Sequence, residues 1–349
     1  MYKKIEIHTT DFTGKYLLKV EDRTMYVGFL IKEIIELLQK DKEVAEITTI
    51  INAKHRINLE KQEIGSLISE KLNKFLEPRQ KNLLVKFFKI FDPSVLNFPS
   101  YLTFFFGKKI FYLTFSVALF FNIFLFFQIK NQPLQTKIDW IIWLVLLFIA
   151  TLVHELGHII AAKKYNAEVH EVGFGIYSIF PVFYVELGEA LKLNTEKRII
   201  INFSGIFTQL VVGCIFYVLY AFTNNSIFIH TFHTNFLIAI VNLNPFMKFD
   251  GYWVISDFLD EKNLIEKSNN ILSKFFTLKK LKEKKSVIFY SIFRFGFLTW
   301  LVYVVSNDTF KFMLKLIKHE PIEWTHYVSI ITLIYFICRT IINKLKETT

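Results

Sequence analysis

Beyond residue 110 the chain repeatedly runs for about twenty residues with hardly a charge, long enough for a helix to cross the hydrocarbon core of a bilayer. Such runs fall at 110–128, 139–162, 199–223, 227–249, 286–305 and 323–343, which predicts six transmembrane helices. Lipid offers no partner to backbone N–H and C=O groups, so a spanning segment must pair them internally, and single apolar runs do so as helices. Composition agrees, with 40 Phe among 349 residues, 52% apolar residues and a mean hydropathy of +0.35. The net charge of +11 raises the question of nucleic acid. However, the lysines sit beside the apolar runs, where they meet anionic lipid, and no basic patch interleaved with aromatic residues appears. The expected partner is therefore the lipid bilayer and no nucleic acid. Basic residues crowd the loops 163–198 and 250–285, while 129–138 offers only Lys130 and Lys137 and the turn at 224–226 none. The loop near 306–322 adds Lys311, Lys315 and Lys318 without reversing the contrast. This asymmetry predicts a multi-pass membrane protein with both termini cytosolic.

Residues 1–76 read differently. KKIEIH, KYLLKVE and RTMYVG alternate like short strands, and VGFLIKEIIELLQK, EVAEITTIIN and LEKQEIGSLISEKLNKFL carry apolar residues at helical spacing. We therefore expect a small N-terminal α+β, winged-helix-like domain on a mainly α membrane protein. The opening MYKKIEIHTTDFTGKYLLKV lacks the apolar core of a signal peptide, so insertion is expected from later spans. Residues 77–100 read as a linker punctuated by Pro78, Pro93 and Pro99. Its basic, amphipathic KNLLVKFFKIF predicts either an interfacial helix on the membrane surface or an ordinary packed helix. Residues 101–349 then form the multi-span domain. The two cysteines, Cys214 and Cys338, lie in different apolar runs and read as buried small residues rather than a disulfide or a zinc site.

The second span ends TLVHELGHIIAAKK. His154 and His158 are four apart and share one helix face, so their imidazoles can converge on one ion, with Glu155 between them in sequence. Two imidazoles, one oxygen ligand and an open position for water suit Zn²⁺, which lowers the pKa of bound water to about 7. Glu155 can then take the water's proton and hand it to a leaving amine. Ionisable groups inside a span are expensive and usually functional. The third ligand should come from another span at similar depth, and the fourth ends AIVNLNPFMKFDGYW. If spans two and four both run toward the cytosol, Asp250 reaches the level of His158. Pro245 would break or kink that helix, and Gly251 lets the chain turn just after.

Here the chain resembles the site-2 protease family of intramembrane zinc metalloproteases, which carry H-E-x-x-H in one span and N-x-x-P-x-x-x-L-D-G in a later one. The second motif reads here from Asn242 through Pro245 to Asp250 and Gly251, with Phe249 in place of leucine. The resemblance implies that Asp250 is the third ligand and that Asn242 helps hold substrate or the oxyanion. The stretches GFGIYSIFPVFYVELGEALKL and KRIIINFSGIFTQL are similar to a branch of peptide zinc metalloproteases linked to maturation of bacterial peptides. The N-terminal order of elements, with its YLLKVEDRTMYVG, resembles PqqD-like peptide-recognition domains.

GIYSIFPVFYVEL is rich in β-branched and aromatic residues and lacks helical periodicity, which predicts a hairpin beside the site or a plain cytosolic one. An unpaired edge there could accept an extended substrate strand. His230 and His233 read as interfacial anchors, and His170, His319 and His326 as structural. Glu186 and Glu189 read either as contacts to a basic substrate or as solvated loop residues. The expected function is hydrolysis of peptide bonds in a membrane-associated or ribosomally made precursor or leader peptide, for peptide maturation or export, with a membrane exporter or a peptide-modifying enzyme as a further partner. The alternatives are a regulatory protease releasing a membrane-tethered factor, and a non-catalytic membrane protein of export or immunity.

Overall fold

The computed structural model describes residues 2–20, 23–76, 84–177, 180–276 and 283–318. They fall into two units, Met1–Leu243 and Asn244–Thr349.

The first unit begins with an antiparallel meander of β1 (Glu6–Thr9), β2 (Lys15–Val20) and β3 (Arg23–Gly28) in the order β1-β2-β3. The helices α1 (Phe29–Gln39), α2 (Val44–His55) and α3 (Lys61–Leu67) follow, and α3 continues through a π-helical stretch to residue 76. Leu18, Val20, Val27, Ile34, Ile35, Ile47, Ile51 and Ile64 form one core, so the alternating strands and the periodic helices bury against each other. Strands before helices is the order the patterning predicts.

These strands and helices rest on the start of a long apolar helix, α6 (Thr195–Thr223), and the segment just ahead of it. The Asp11 amide donates to the Lys192 carbonyl at 2.8 Å, and Lys197 Nζ reaches Asp11 Oδ2 at 2.7 Å. The Arg198 guanidinium is buried, donates to Leu193 O at 2.8 Å and Tyr26 Oη at 3.1 Å, and lies over the Phe12 and Tyr26 rings. The Tyr26 hydroxyl in turn donates to Leu191 O. A guanidinium can be buried here because its fork is satisfied and its faces are covered by aromatic rings.

Residues 84–91 are a strand, β4 (Leu84–Phe91), where an interfacial or packed helix was expected. It pairs antiparallel with β5 (Val172–Tyr177), which pairs with β6 (Phe180–Val185), giving the order β4-β5-β6. Val, Ile and Phe separated by Lys fit a half-buried pleat as well as an amphipathic helix, and the available partner β5 decides between them. Two register shifts, between Lys86 and Phe88 and between Lys89 and Phe91, accommodate the irregular alternation. The predicted hairpin is therefore two strands of a three-stranded sheet. Phe88, Phe174 and Phe183 stack across it, and Phe183 meets Phe148 of α5 (Lys137–Lys164) with ring centres 4.9 Å apart. The sheet is thus fastened to the helix that bears the paired histidines.

Among the described residues, four helices are long and apolar enough to cross a membrane: α4 (Lys108–Gln128), α5, α6, and α10 (Lys285–Ile317) of the second unit. Between α6 and α10 lie α7 (Ser226–Asn242), α8 (Asp250–Phe258) and α9 (Leu264–Phe276). Helix α5 starts at a capping box, where Thr136 Oγ1 accepts from Asp139 N at 3.2 Å and Asp139 Oδ2 accepts from Thr136 N at 2.8 Å. Asn194 caps α6 by accepting from Lys197 N at 3.0 Å. Helices α5 and α6 meet at Gly157, where a Cβ would lie 2.5 Å from both Ser204 O and Thr208 Oγ1. Only glycine permits that approach, as at other close helix crossings in membranes.

Two span boundaries differ from expectation. The fourth apolar run, predicted to 249, forms the shorter α7 of 17 residues, and 243–249 is not helical. Pro245 has no N–H to continue the ladder, and Asn244 Oδ1 accepts from Phe246 N at 2.8 Å, closing a local turn instead. Asp250 accordingly begins α8 rather than ending the fourth span. The fifth run continues through the predicted loop to Ile317, since 306–317 contains no Pro or Gly to stop it. The sixth expected span, 323–343, lies outside the described residues, as do His319, His326 and Cys338.

Within the second unit, Tyr252, Leu264, Ile271, Val287 and Tyr290 make a core. The Tyr290 hydroxyl donates to Pro245 O at 3.0 Å, tying the turn before Asp250 to α10. Arg294 Nη1 donates to Ser268 Oγ at 3.2 Å and Asn269 Oδ1 at 2.8 Å. Glu261 pairs with Lys267 and with Lys284, and although burial alone would raise its pKa, these two ammonium groups hold it below the usual range.

Candidate metal centre

One helical turn of α5 places His154 and His158 on the same buried face, each about 5% exposed. Each imidazole is held through Nδ1. His158 Nδ1 lies 2.7 Å from the Ile201 carbonyl oxygen, and His154 Nδ1 lies 3.2 Å from Gln209 Oε1. Both partners are acceptors, so both Nδ1 atoms carry the proton and donate. The lone pairs then sit on the two Nε2 atoms, which face each other 3.2 Å apart. Two facing lone pairs repel unless a cation lies beside both. Ligands on a tetrahedral zinc with bonds of about 2.0–2.1 Å are about 3.3 Å from one another, which the observed separation matches.

Helix α6 keeps the adjoining space open. A Cβ on Gly205 would sit 2.3 Å from His158 Nε2 and 2.7 Å from His154 Nε2, so any side chain there would fill the position an ion needs. The paired imidazoles, their fixed tautomers and this cradle fit a zinc ion. Glu155, next to His154 in sequence, is partly exposed.

The other expected residues are placed as follows. Asn242 is the last residue of α7, and its Nδ2 donates to Gln209 Oε1 at 3.4 Å. Asp250 is the first residue of α8 in the second unit. His230 Nδ1 contacts Gln132 O at 3.1 Å, and His233 contacts Ile229 O and Ile129 O at 2.8 and 2.9 Å. Glu186 pairs with Lys86 at 3.1 Å, and the side chain of Glu189 is not described. His170 lies on the surface, 4.0 Å from Glu168. Cys214 Sγ accepts from Asn122 Nδ2 at 3.3 Å inside the bundle.

Gln209 and Gly205 were not picked out as individual residues by sequence reading. The available signal was a G-x-x-x-Q spacing, which puts a glycine and an amide on one face of an apolar helix.

Residues 142–231 match the model of peptidase family M50. The chain is 30% identical over 161 residues to a protein of Bacillus subtilis (strain 168) named "Putative peptide zinc metalloprotease protein YydH", covering 44% of this chain and 64% of that one. It is 25% identical over 156 residues to a zinc metalloprotease of Methanocaldococcus jannaschii, covering 43% of this chain and 44% of that one. The chain thus spans less than two thirds of the length of each of these curated relatives. The matched segment holds both histidines, Glu155, Gly205 and Gln209, while Asn242 and Asp250 fall beyond it. Residues 142–231 are thus similar to the peptidase family M50 domain.

Proposed function

We propose that the chain is a zinc-dependent intramembrane endopeptidase that cuts a ribosomally made precursor or leader peptide at a bacterial membrane. The observation that carries this reading is the pair of Nε2 atoms 3.2 Å apart over the space left by Gly205. His154 and His158 would hold the ion, and Asp250 supplies the third, oxygen ligand. Zinc bound there would acidify a water and polarise the scissile carbonyl. Glu155 takes the proton of the attacking water and returns it to the departing amine nitrogen. Asn242, already an amide donor at the end of α7, is proposed to extend toward substrate or the oxyanion.

A substrate must be extended to be cut, because helical carbonyls are occupied and shielded. β6 is an end strand of its sheet among the described residues, and its ladder partner is β5 alone. We assign it as the edge on which the substrate pairs, with the sheet held to α5 by the Phe148–Phe183 contact. The domain of residues 1–76 is proposed to capture a leader segment in the manner of PqqD-like domains. Both termini face the cytosol, and an exporter or peptide-modifying enzyme would share the substrate.

The test is incubation of purified protein in detergent with any small peptide found encoded beside this gene. Cleavage by the native chain and its loss in Glu155→Gln, with zinc retained, is the expected result. Unaltered processing by Glu155→Gln would favour a non-catalytic membrane protein. Cleavage of a membrane-tethered factor, with no peptide bound by residues 1–76, would favour a regulatory protease.

A further inference from the structure

We propose that Gln209 is a positioning residue that fixes His154 for metal binding, and that α7 holds it in that role; this rests on the paired histidines being metal ligands. The two imidazoles are oriented by different means. His158 leans on the main-chain carbonyl of Ile201, which no substitution removes. His154 depends on a side chain, Gln209 Oε1 at 3.2 Å. An amide oxygen only accepts, so this contact places the His154 proton on Nδ1 and aims the Nε2 lone pair at His158.

The amide itself is locked from helix α7. Gln209 Nε2 donates to the main-chain oxygen of Asn235 at 3.3 Å, and Asn235 Nδ2 donates back to the main-chain oxygen of Gln209 at 2.9 Å. Asn242 Nδ2 adds a donor to Gln209 Oε1 at 3.4 Å. Turning the amide over would face two N–H groups toward the imidazole and one carbonyl toward another, so the observed sense is the one the neighbours enforce. Gln209 is 2% exposed and Asn235 1%, among helices otherwise lined with apolar side chains. Amides are costly to bury there unless their orientation serves the site. The outer partners of a ligating histidine commonly change metal affinity 10- to 100-fold when removed.

The test uses the full chain in detergent, with zinc affinity read by competition against a chelator and the site geometry by the absorption spectrum of the cobalt-substituted protein. Gln209→Leu is expected to weaken zinc binding roughly 10- to 100-fold and to shift and broaden the cobalt bands. Gln209→Glu keeps an acceptor opposite Nδ1 while losing the donor to Asn235 O, and is expected to lose less zinc affinity than Gln209→Leu. Native-like affinity in Gln209→Leu overturns the proposal, as does an equal loss in Gln209→Glu. If Gln209→Leu does not fold, Gln209→Met, which keeps the length of the side chain and removes the amide, is read against Gln209→Glu in the same way. A native chain that binds no zinc overturns the reading of the histidines instead, so the two failures are distinguishable.

Discussion

Substitution of Gly205 by alanine should empty the metal centre while leaving the helix intact. The added Cβ would lie 2.3 Å from His158 Nε2 and 2.7 Å from His154 Nε2, against an ordinary contact of 3.4 Å or more. The two nitrogens would have to retreat by about 1.1 and about 0.7 Å, whereas a zinc site tolerates deviations of about 0.2 Å. The loss should therefore reach or exceed the upper end of outer-shell effects, about 100-fold, or about 2.7 kcal/mol. Helix propensity works in the opposite direction, since alanine is favoured over glycine by about 1 kcal/mol in a helix interior. The overlap with the two buried imidazoles costs about 1–3 kcal/mol with or without metal, so the metal-free variant should melt at or below the metal-free native chain despite that gain. Zinc at about 1,000 times the native Kd adds about 4.1 kcal/mol of stability, and a 100-fold weaker site would gain only about 1.4 kcal/mol at the same concentration. Thermal melts with and without zinc, together with metal analysis of the purified proteins, give both readouts. Stoichiometric zinc bound with native affinity by Gly205→Ala would refute the reasoning.

Three further outcomes are expected. Glu155→Gln should lower peptide hydrolysis by at least about 10²-fold while zinc content stays at the native level, and loss of zinc would assign Glu155 a different role. Gly157→Ala should destabilise the bundle by about 1–3 kcal/mol in thermal unfolding, because its Cβ meets Ser204 O and Thr208 Oγ1 at 2.5 Å; a native melting temperature would contradict that packing. The hydrogen bond from Lys197 holds the Asp11 carboxyl below its usual range, against a smaller opposing effect of burial. Its contribution to docking of the N-terminal domain is thus present above the ordinary aspartate pKa and fades as pH falls through the lowered value. Both groups are about one-third exposed, so Asp11→Asn should cost only about 0.2–1 kcal/mol at neutral pH, seen as faster amide exchange at 188–198; unchanged exchange would discount the contact.

The histidine pair was legible because helical periodicity alone puts residues four apart on one face, and that needs no tertiary information. The N-terminal strands and helices were legible for the same reason. β4 was not, since VKFFKIF satisfies a pleated strand and an amphipathic helix about equally, and its partner β5 lies some eighty residues away in sequence. The end of α7 was misjudged because apolar content continues past Asn242, while Pro245 and the side chain of Asn244 stop the helix locally. Gly205 and Gln209 acquire meaning only when α5, α6 and α7 are assembled, because one is defined by the space beside it and the other by three partners on two neighbouring helices.

The central claim is that His154 and His158 ligate one divalent zinc together with Asp250. Zinc X-ray absorption on the purified full chain tests it most directly. We predict one zinc per chain, bound by two imidazole nitrogens at about 2.0–2.1 Å and by oxygen, with zinc lost or its shell altered in His154→Ala, His158→Ala and Asp250→Ala. A chain without stoichiometric metal, or a zinc shell that these substitutions leave unchanged, would contradict it.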